Sequence, residues 1–272
     1  MRFSLSEIMP AAGWSTFGGR KYWVIFKNSM QTALAHRFNT FTSLISEALV
    51  FVVMAYLWLS IYYQGNKIGD YTLKGLIIYY LLTRFISLTI KSGDTGRIVG
   101  DAIRNGEISQ YLVKPLSFLG ENFAANLGVI FYRVFIYAIV FLAIILFGFK
   151  TNFPAPAVFI YFFLSIAMAV AINFLIFYMV GISTFYFGFV QGFNFNASII
   201  ASLFSGNFIP LDILPPYLLS IANYLPFKFI AFIPVSIITG KISLDNAPII
   251  LLSGFAWVII LYLSSIILLI WP

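Results

Sequence analysis

KSGDTGRIVGDAIRNGEISQYLVKP, residues 91–115, is the longest polar run in a chain that is otherwise almost entirely apolar. Of the 16 basic and 9 acidic residues, seven lie in it: Lys91, Asp94, Arg97, Asp101, Arg104, Glu107 and Lys114. Apolar stretches long enough to span a membrane flank it on both sides. The run is therefore a polar island where the chain leaves the bilayer, and its make-up suggests a docking surface.

Composition supports that frame. The 272 residues are 61% hydrophobic and 9% charged, with a mean hydropathy of +0.96. A soluble domain carries about 25% charged residues, and a chain this poor in charge cannot cover its own surface. It is an integral membrane protein. The net charge of +7 contains no Lys/Arg run, so the cations are read as topology signals and lipid contacts rather than as a nucleic-acid surface. With no cysteine, disulfides, thiol catalysis and cysteine metal sites are excluded.

Roughly 20 apolar residues cross a bilayer, and on that measure the chain divides into six spans: about 38–63, 72–90, 116–149, 158–185, 197–213 and 249–271. Residues 1–37 read as a cytosolic leader followed by an amphipathic helix, 21–37, lying in the interface on its basic and aromatic residues. A cytosolic extension of the first span is the alternative. Residues 38–272 form one transmembrane domain. Between the fifth and sixth spans, the apolar segment 214–248 is broken by Pro215, Pro216, Pro226 and Pro234. Proline frees backbone groups that must find partners within lipid. Short helices that dip into the outer face and return suit this segment; one kinked extra span within 214–238 is the alternative.

Cation placement sets the orientation. An inside N-terminus puts Arg2, Arg20, Lys21, Lys27, Arg37, Lys91, Arg97, Arg104 and Lys114 in the cytosol. Only lysines fall outside: Lys67, Lys74, Lys150, Lys228 and Lys241. The polar island is then cytosolic, and the protein sits in the cell's inner, cytoplasmic membrane.

The search for chemistry returns little. His36 is the single histidine, so no zinc pair is possible, and neither HExxH nor GxSxG occurs. Gly240-Lys241 lacks the rest of a phosphate-binding loop. No metal or cofactor is expected on this chain. Three ionisable residues fall within spans, Glu47, Arg84 and Arg133. An intramembrane charge costs about 2.5–3.5 kcal/mol on insertion scales and so has a partner or a task. Glu47 and Arg84 lie in the inner halves of adjacent antiparallel spans and are expected to pair. Arg133 faces a protein interior or a cavity.

Within the island, Asp94 or Thr95 can cap a helix running to Arg104, with Ile98, Val99, Ala102 and Ile103 as its apolar face. Asn105-Gly106 should stop it. A second turn over Glu107–Leu112 follows, before Lys114-Pro115 resets the direction.

The segment from Ile103 to Pro115, IRNGEISQYLVKP, resembles the I-R-x-G-E-(L/I)-x-x-Y-L-(L/V)-K-P signature of ABC-2-type permeases, the membrane subunits of one class of ABC transporter. Other features resemble the family in the same order along the chain. Residues 21–39 are similar to its amphipathic N-terminal helix with an A-x-R-F-N close. Residues 204–211 (FSGNFIPL), with Pro215 and Leu225-Pro226-Phe227, are similar to its outer re-entrant segment. Gly240-Lys241 matches the pair before its last span. The stretch before Arg20 is longer than usual, and no basic tail follows Trp271-Pro272.

The resemblance implies an all-α integral membrane protein of six helices, with an interfacial N-terminal helix, a cytosolic coupling-helix loop at 91–115 and the outer re-entrant segment. It implies a pair of permease subunits, identical or homologous, and separate ABC ATPase subunits that hold ATP and Mg. On this reading the chain is not itself an enzyme but the permease of an exporter for a hydrophobic or amphipathic substrate. The ATPase-coupling residues it implies are Ile98, Ile103, Arg104, Gly106, Glu107, Tyr111, Leu112, Lys114 and Pro115; the residues it singles out in the outer re-entrant segment are Gly206, Pro210, Pro215 and Pro226. A stand-alone channel or ion-coupled carrier using the span charges is the alternative function. An intramembrane lipid-modifying enzyme is disfavoured by the empty catalytic search.

Overall fold

The computed structural model describes residues 18–63, 69, 71–112, 116–148 and 155–270. Among these there is no β-strand; the chain is a helical bundle. Helix α1 (Gly18–Ala35) runs almost directly into α2 (Arg37–Tyr63), with a break at His36. Helix α3 (Leu73–Ile90) leads into the polar segment, which holds α4 (Gly93–Arg104) and a 3₁₀ turn (Glu107–Leu112). Helices α5 (Phe118–Gly148) and α6 (Pro156–Ile182) follow, then the single turn α7 (Thr184–Phe187) and α8 (Gln191–Phe204). The segment before the last helix contains 3₁₀ turns at Leu211–Ile213 and Pro226–Phe229 and the short helices α9 (Pro216–Tyr224) and α10 (Phe232–Ile238). The chain ends in α11 (Ala247–Ile270).

Local chemistry sets these boundaries. The Thr72 hydroxyl caps α3 by accepting from the Gly75 N–H at 3.1 Å. At its other end the Ile90 carbonyl accepts from Ser92 Oγ at 3.1 Å and from the Asn173 side-chain amide of α6, so a helix-end acceptor is satisfied inside the bundle. Pro156 opens α6 at a position where its missing N–H costs nothing.

Helix α6 is the centre. It is apolar on every side, as suits a membrane-crossing helix; Ile160, Phe163 and Leu164 are exposed, while Ala169, Ile172, Phe174, Tyr178 and Ile182 are all but fully buried. Helices α4, α10 and α11 pack on it. Phe174 stacks on Tyr178 at 5.6 Å and takes Phe123 of α5 edge-on at 4.9 Å. Helix α1 lies along the start of α5. The Ser117 N–H donates to Tyr22 Oη at 3.3 Å, and Phe26 meets Phe131 edge-on at 5.8 Å. The other side of α1 leaves Trp23, Val24 and Leu34 exposed, an apolar face available to lipid. Helix α2 is the least enclosed; Trp58 is its one buried residue, and Phe51 stacks on Tyr80 of α3 at 6.2 Å.

Five helical stretches are long and apolar enough to cross a membrane, or up to six if the pair Pro216–Tyr224 and Pro226–Ile238, bent by 79°, is one span. The stretch expected as a fifth span, 197–213, is not one helix. Its helix starts earlier, at Gln191, and ends at Phe204 after 14 residues, about 21 Å of rise. Gly206 then turns the chain at φ +82°, a left-handed conformation that glycine adopts without strain, and Pro210 bars any resumption.

Candidate functional site

The polar segment is a built object rather than a solvated loop. Helix α4 is one-sided: Thr95, Gly96, Val99 and Gly100 are buried, Ile103 is half-buried, and Arg97 and Arg104 face outward. The buried stripe is made of small residues, and their size sets the distance to α6 and to the turn that follows it. A Cβ on Gly100 would lie 2.7 Å from Val190 and 2.8 Å from Thr184 Oγ1; one on Gly96 would lie 3.0 Å from the Phe177 carbonyl. Gly181 of α6 answers from the other side, where a Cβ would meet Val99 at 2.6 Å. Paired small residues let two helix backbones approach closely. Asn194 of α8 fixes the end of the rod by donating from Nδ2 to the Gly93 carbonyl at 2.9 Å.

The expected apolar face is thereby corrected at one position. Val99 is 0% exposed, but Ile98 is 56% exposed and lines a polar cavity instead. The contact face is chosen by where glycines permit approach, and it lies one residue round the helix from the face the large side chains suggest.

The far end of α4 stops as expected. Gly106 has φ +74°, its N–H reaches the Ile103 carbonyl at 3.1 Å, and the Asn105 N–H reaches Asp101 at 2.9 Å. Arg104, Gly106 and Glu107 form the exposed tip, where Arg104 makes no salt bridge among the described residues. The 3₁₀ turn brings the chain back, and Leu112 ends it. Tyr111 packs edge-on against Phe118 at 4.8 Å and hydrogen-bonds the Glu121 carboxylate. Lys114 and Pro115 lie outside the described residues.

Burial, reinforced by the charge and hydrogen bond of Glu121, pushes the Tyr111 phenol up to about 12 from its ordinary 10.0. A raised pKa in the folded state favours the protonated form, so this contribution to stability is full below pH 10 and is lost as pH rises toward 12. Tyr111→Phe is expected to flatten the alkaline fall in melting temperature between pH 9.5 and 11, in assay conditions chosen for that window. An unchanged slope would show that Tyr111 does not carry it.

The three span charges separate into two settings. Glu47 on α2 accepts directly from Arg84 Nη2 on α3. Arg133 lies within the candidate span Phe118–Ile139 and is held by the polar segment. Its Nη1 donates to the Lys91 carbonyl at 2.7 Å and its Nη2 lies 3.5 Å from Asp94 Oδ2. It therefore sits level with the end of α3 and the start of α4. Helix α5, at 31 residues, is about 46 Å long and exceeds the roughly 30 Å hydrocarbon layer, so part of it projects beyond.

A polar seam continues from the Glu47–Arg84 pair. The Ser87 hydroxyl donates to Asn207 Oδ1, and Arg84, Ser87, Asn173, Ser202, Ser205 and Asn207 share one cleft. Here the proline-broken segment is pinned. The Phe232 N–H donates to the Ser205 carbonyl at 2.9 Å, and Tyr79 Oη donates to the Gly206 carbonyl at 2.9 Å. Pro210 precedes the first 3₁₀ turn, Pro215 precedes α9, and Pro226 opens the second 3₁₀ turn. All three sit at breaks. At the opposite end from the polar segment, Asp212 and Lys241 form an ion pair. Tyr71 Oη donates to Asp212 Oδ1 at 3.0 Å, and the Lys241 ammonium stands 3.7 Å from the Tyr71 ring centroid.

Sequence reasoning missed Gly96, Gly100, Gly181, Asn194 and the Asp212–Lys241–Tyr71 cluster. The i, i+4 glycines of α4 were the one available signal.

The chain is thus a bundle with several helices long and apolar enough to cross a membrane and a firmly seated polar rod at one end. The family model described as ABC-2 family transporter protein matches residues 41–271, and the chain belongs to that family. Members are transmembrane components of ABC transporters that generally work with ABC ATPases. A comparison with curated proteins finds no match.

Proposed function

We propose that this chain is the permease subunit of an ATP-driven exporter, working with a second permease subunit and with separate ATPase subunits docked on the cytosolic polar segment. The observation that carries the reading is the seating of α4. Its buried face is locked to α6 by glycine contacts while Arg104, Gly106 and Glu107 project from its free end. A rod held this way transmits displacement rather than absorbing it.

The proposed stroke runs from the tip inward. ATP binding draws two partner ATPases together and moves the tips. Each α4 carries α6 with it and pulls α8 through Asn194. Helix α8 is capped by Ser205, whose carbonyl holds Phe232, so its movement reaches the outer segment that dips between α8 and α11. The second permease would complete the path beside α2 and α8, where Phe193, Phe195, Ile199 and Leu203 are exposed. Arginines confined to the inner side support a cytosolic N-terminus in the cytoplasmic membrane. The exposed apolar faces suit a hydrophobic or amphipathic cargo.

Glu107→Lys tests the docking role. Glu107 is exposed and, among the described residues, its side chain accepts one weak hydrogen bond, from Asn105 Nδ2 at 3.5 Å, so the variant is expected to keep its melting temperature. It is also expected to lose ATPase copurification in mild detergent and ATP-dependent transport in proteoliposomes. Retention of both would remove the tip from this role.

A further inference from the structure

Two cavities meet at the end of the bundle that carries the polar segment. The larger, about 850 Å³, lies between α1, α2, α4 and α5. The smaller, about 410 Å³, lies between α2 and α5. Both volumes fall in the roughly 300–1,000 Å³ range of small-molecule sites. They share Thr40 and Tyr132 in their walls, so they adjoin at these two side chains.

Their linings differ sharply. Lys91, Arg97 and Arg133 line the larger one, with hydroxyls and amides such as Thr32, Ser43 and Asn126. Two carboxylates also face it. Glu47 is neutralised by Arg84, and Asp94 lies between Arg97 at 3.8 Å and Arg133 at 3.5 Å. With Glu47 held by Arg84, three cations face one remaining carboxylate. Asn126 is 8% exposed; its Oδ1 accepts from Ser92 at 3.4 Å, while its Nδ2 is buried with no hydrogen-bond partner. A buried donor left unpaired is costly, and this one lies in the wall of a cationic chamber. The smaller compartment is apolar. Phe38, Phe41, Leu44 and Ile136 line it, with Arg37 beside them.

We infer that this space binds an anionic amphiphile, its negatively charged headgroup in the cationic chamber and its hydrocarbon chain in the groove between α2 and α5. The charge excess of Lys91, Arg97 and Arg133 selects an anionic headgroup. The adjoining apolar groove selects a molecule with a chain, and excludes a free inorganic anion as the preferred ligand. The inference deepens the proposed export of amphipathic cargo and rests on that reading only for the membrane face from which the ligand enters.

The test places the full-length chain in phosphatidylcholine nanodiscs doped with a photo-crosslinkable phosphatidylglycerol or, in parallel, a photo-crosslinkable phosphatidylcholine. The anionic probe is expected to label residues 37–44 and 132–136 well above the zwitterionic one. Lys91→Glu combined with Arg97→Glu should bring the two probes level. Leu44→Trp, which fills the groove and leaves the chamber's charges in place, should reduce labelling by both. Equal labelling of the native chain by the two probes, or labelling untouched by either variant, would overturn the inference. Adding ATP to the complex with a copurified ATPase distinguishes sources. Label lost during turnover marks cargo and label retained marks a resident lipid, and both support the site. Labelling is read without any ATPase, so the site stands or falls separately from the permease reading.

Discussion

Gly100→Leu is expected to uncouple the polar segment from the rest of the protein and to lower stability by about 3 kcal/mol, at the upper end of the cost of overpacking. The reason is steric and local. A Cβ at this position already meets Val190 Cγ1 at 2.7 Å and Thr184 Oγ1 at 2.8 Å, and a branched side chain has no space beyond them. Neither neighbour can give way easily. Val190 is 2% exposed and Thr184 is 4% exposed, each at a turn between α6 and α8. The helix must lift, and in lifting it would break the Asn194–Gly93 hydrogen bond that ties it to α8.

Two glycines serve as controls for that argument. Gly106 has positive φ and open space around it, so Gly106→Ala should cost only the backbone term of about 1–2 kcal/mol. Gly192 has no close neighbour, the nearest atom being 3.9 Å from a built Cβ, and Gly192→Leu should be mild. The measurement is thermal unfolding in detergent alongside ATP-driven transport for the three variants. Gly100→Leu matching the native chain in both would mean that α4 does not act through this contact.

The pattern of these glycines also explains where the sequence was legible and where it was not. Long apolar runs translate directly into helices, because lipid leaves the backbone no other way to satisfy its hydrogen bonds. The limits of α2, α3 and α11 follow from hydropathy to within two residues. The Asn105-Gly106 stop is equally plain. Contact faces are another matter. Periodicity ranks positions by side-chain size, yet α4 is seated by its smallest residues, and Ile98 ends up outside.

Arg133 lines a cavity, one of the two settings its apolar run left open, and the partners it finds there, the Lys91 carbonyl and Asp94, come from a part of the chain that the run does not reveal. The stretch 197–213 looks continuous in hydropathy, whereas its helix ends at Phe204 because Gly206 and Pro210 decide the backbone. The Asp212–Lys241–Tyr71 cluster joins residues far apart in the chain, and no local pattern announces such a meeting.

The Glu47–Arg84 pair offers the second large effect and the clearest discrimination between transport mechanisms. Its side chains are 24% and 15% exposed, and it joins α2, which buries little else, to α3. Removing one partner leaves the other charge without compensation in a low-dielectric setting. Glu47→Gln or Arg84→Met alone is therefore expected to cost about 3 kcal/mol, the lower end for breaking a buried pair. Replacing both, Glu47→Leu with Arg84→Met, should restore much of that loss, because the desolvation penalty disappears along with the attraction. A double-mutant cycle on melting temperature reads the difference directly. If the pair is structural, the double variant regains both stability and ATP-driven transport. An ion-coupled carrier would behave otherwise, since a neutral pair has no titratable group to bind or release an ion. A double variant that is stable yet silent, with ATPase still bound, would move Glu47 and Arg84 from the scaffold to the transport path. The contact geometry argues for the scaffold. Arg84 spends Nη2 on Glu47 and lines a cleft together with Ser87 and Asn207, and among the described residues no second carboxylate lies in that cleft to pass a proton onward.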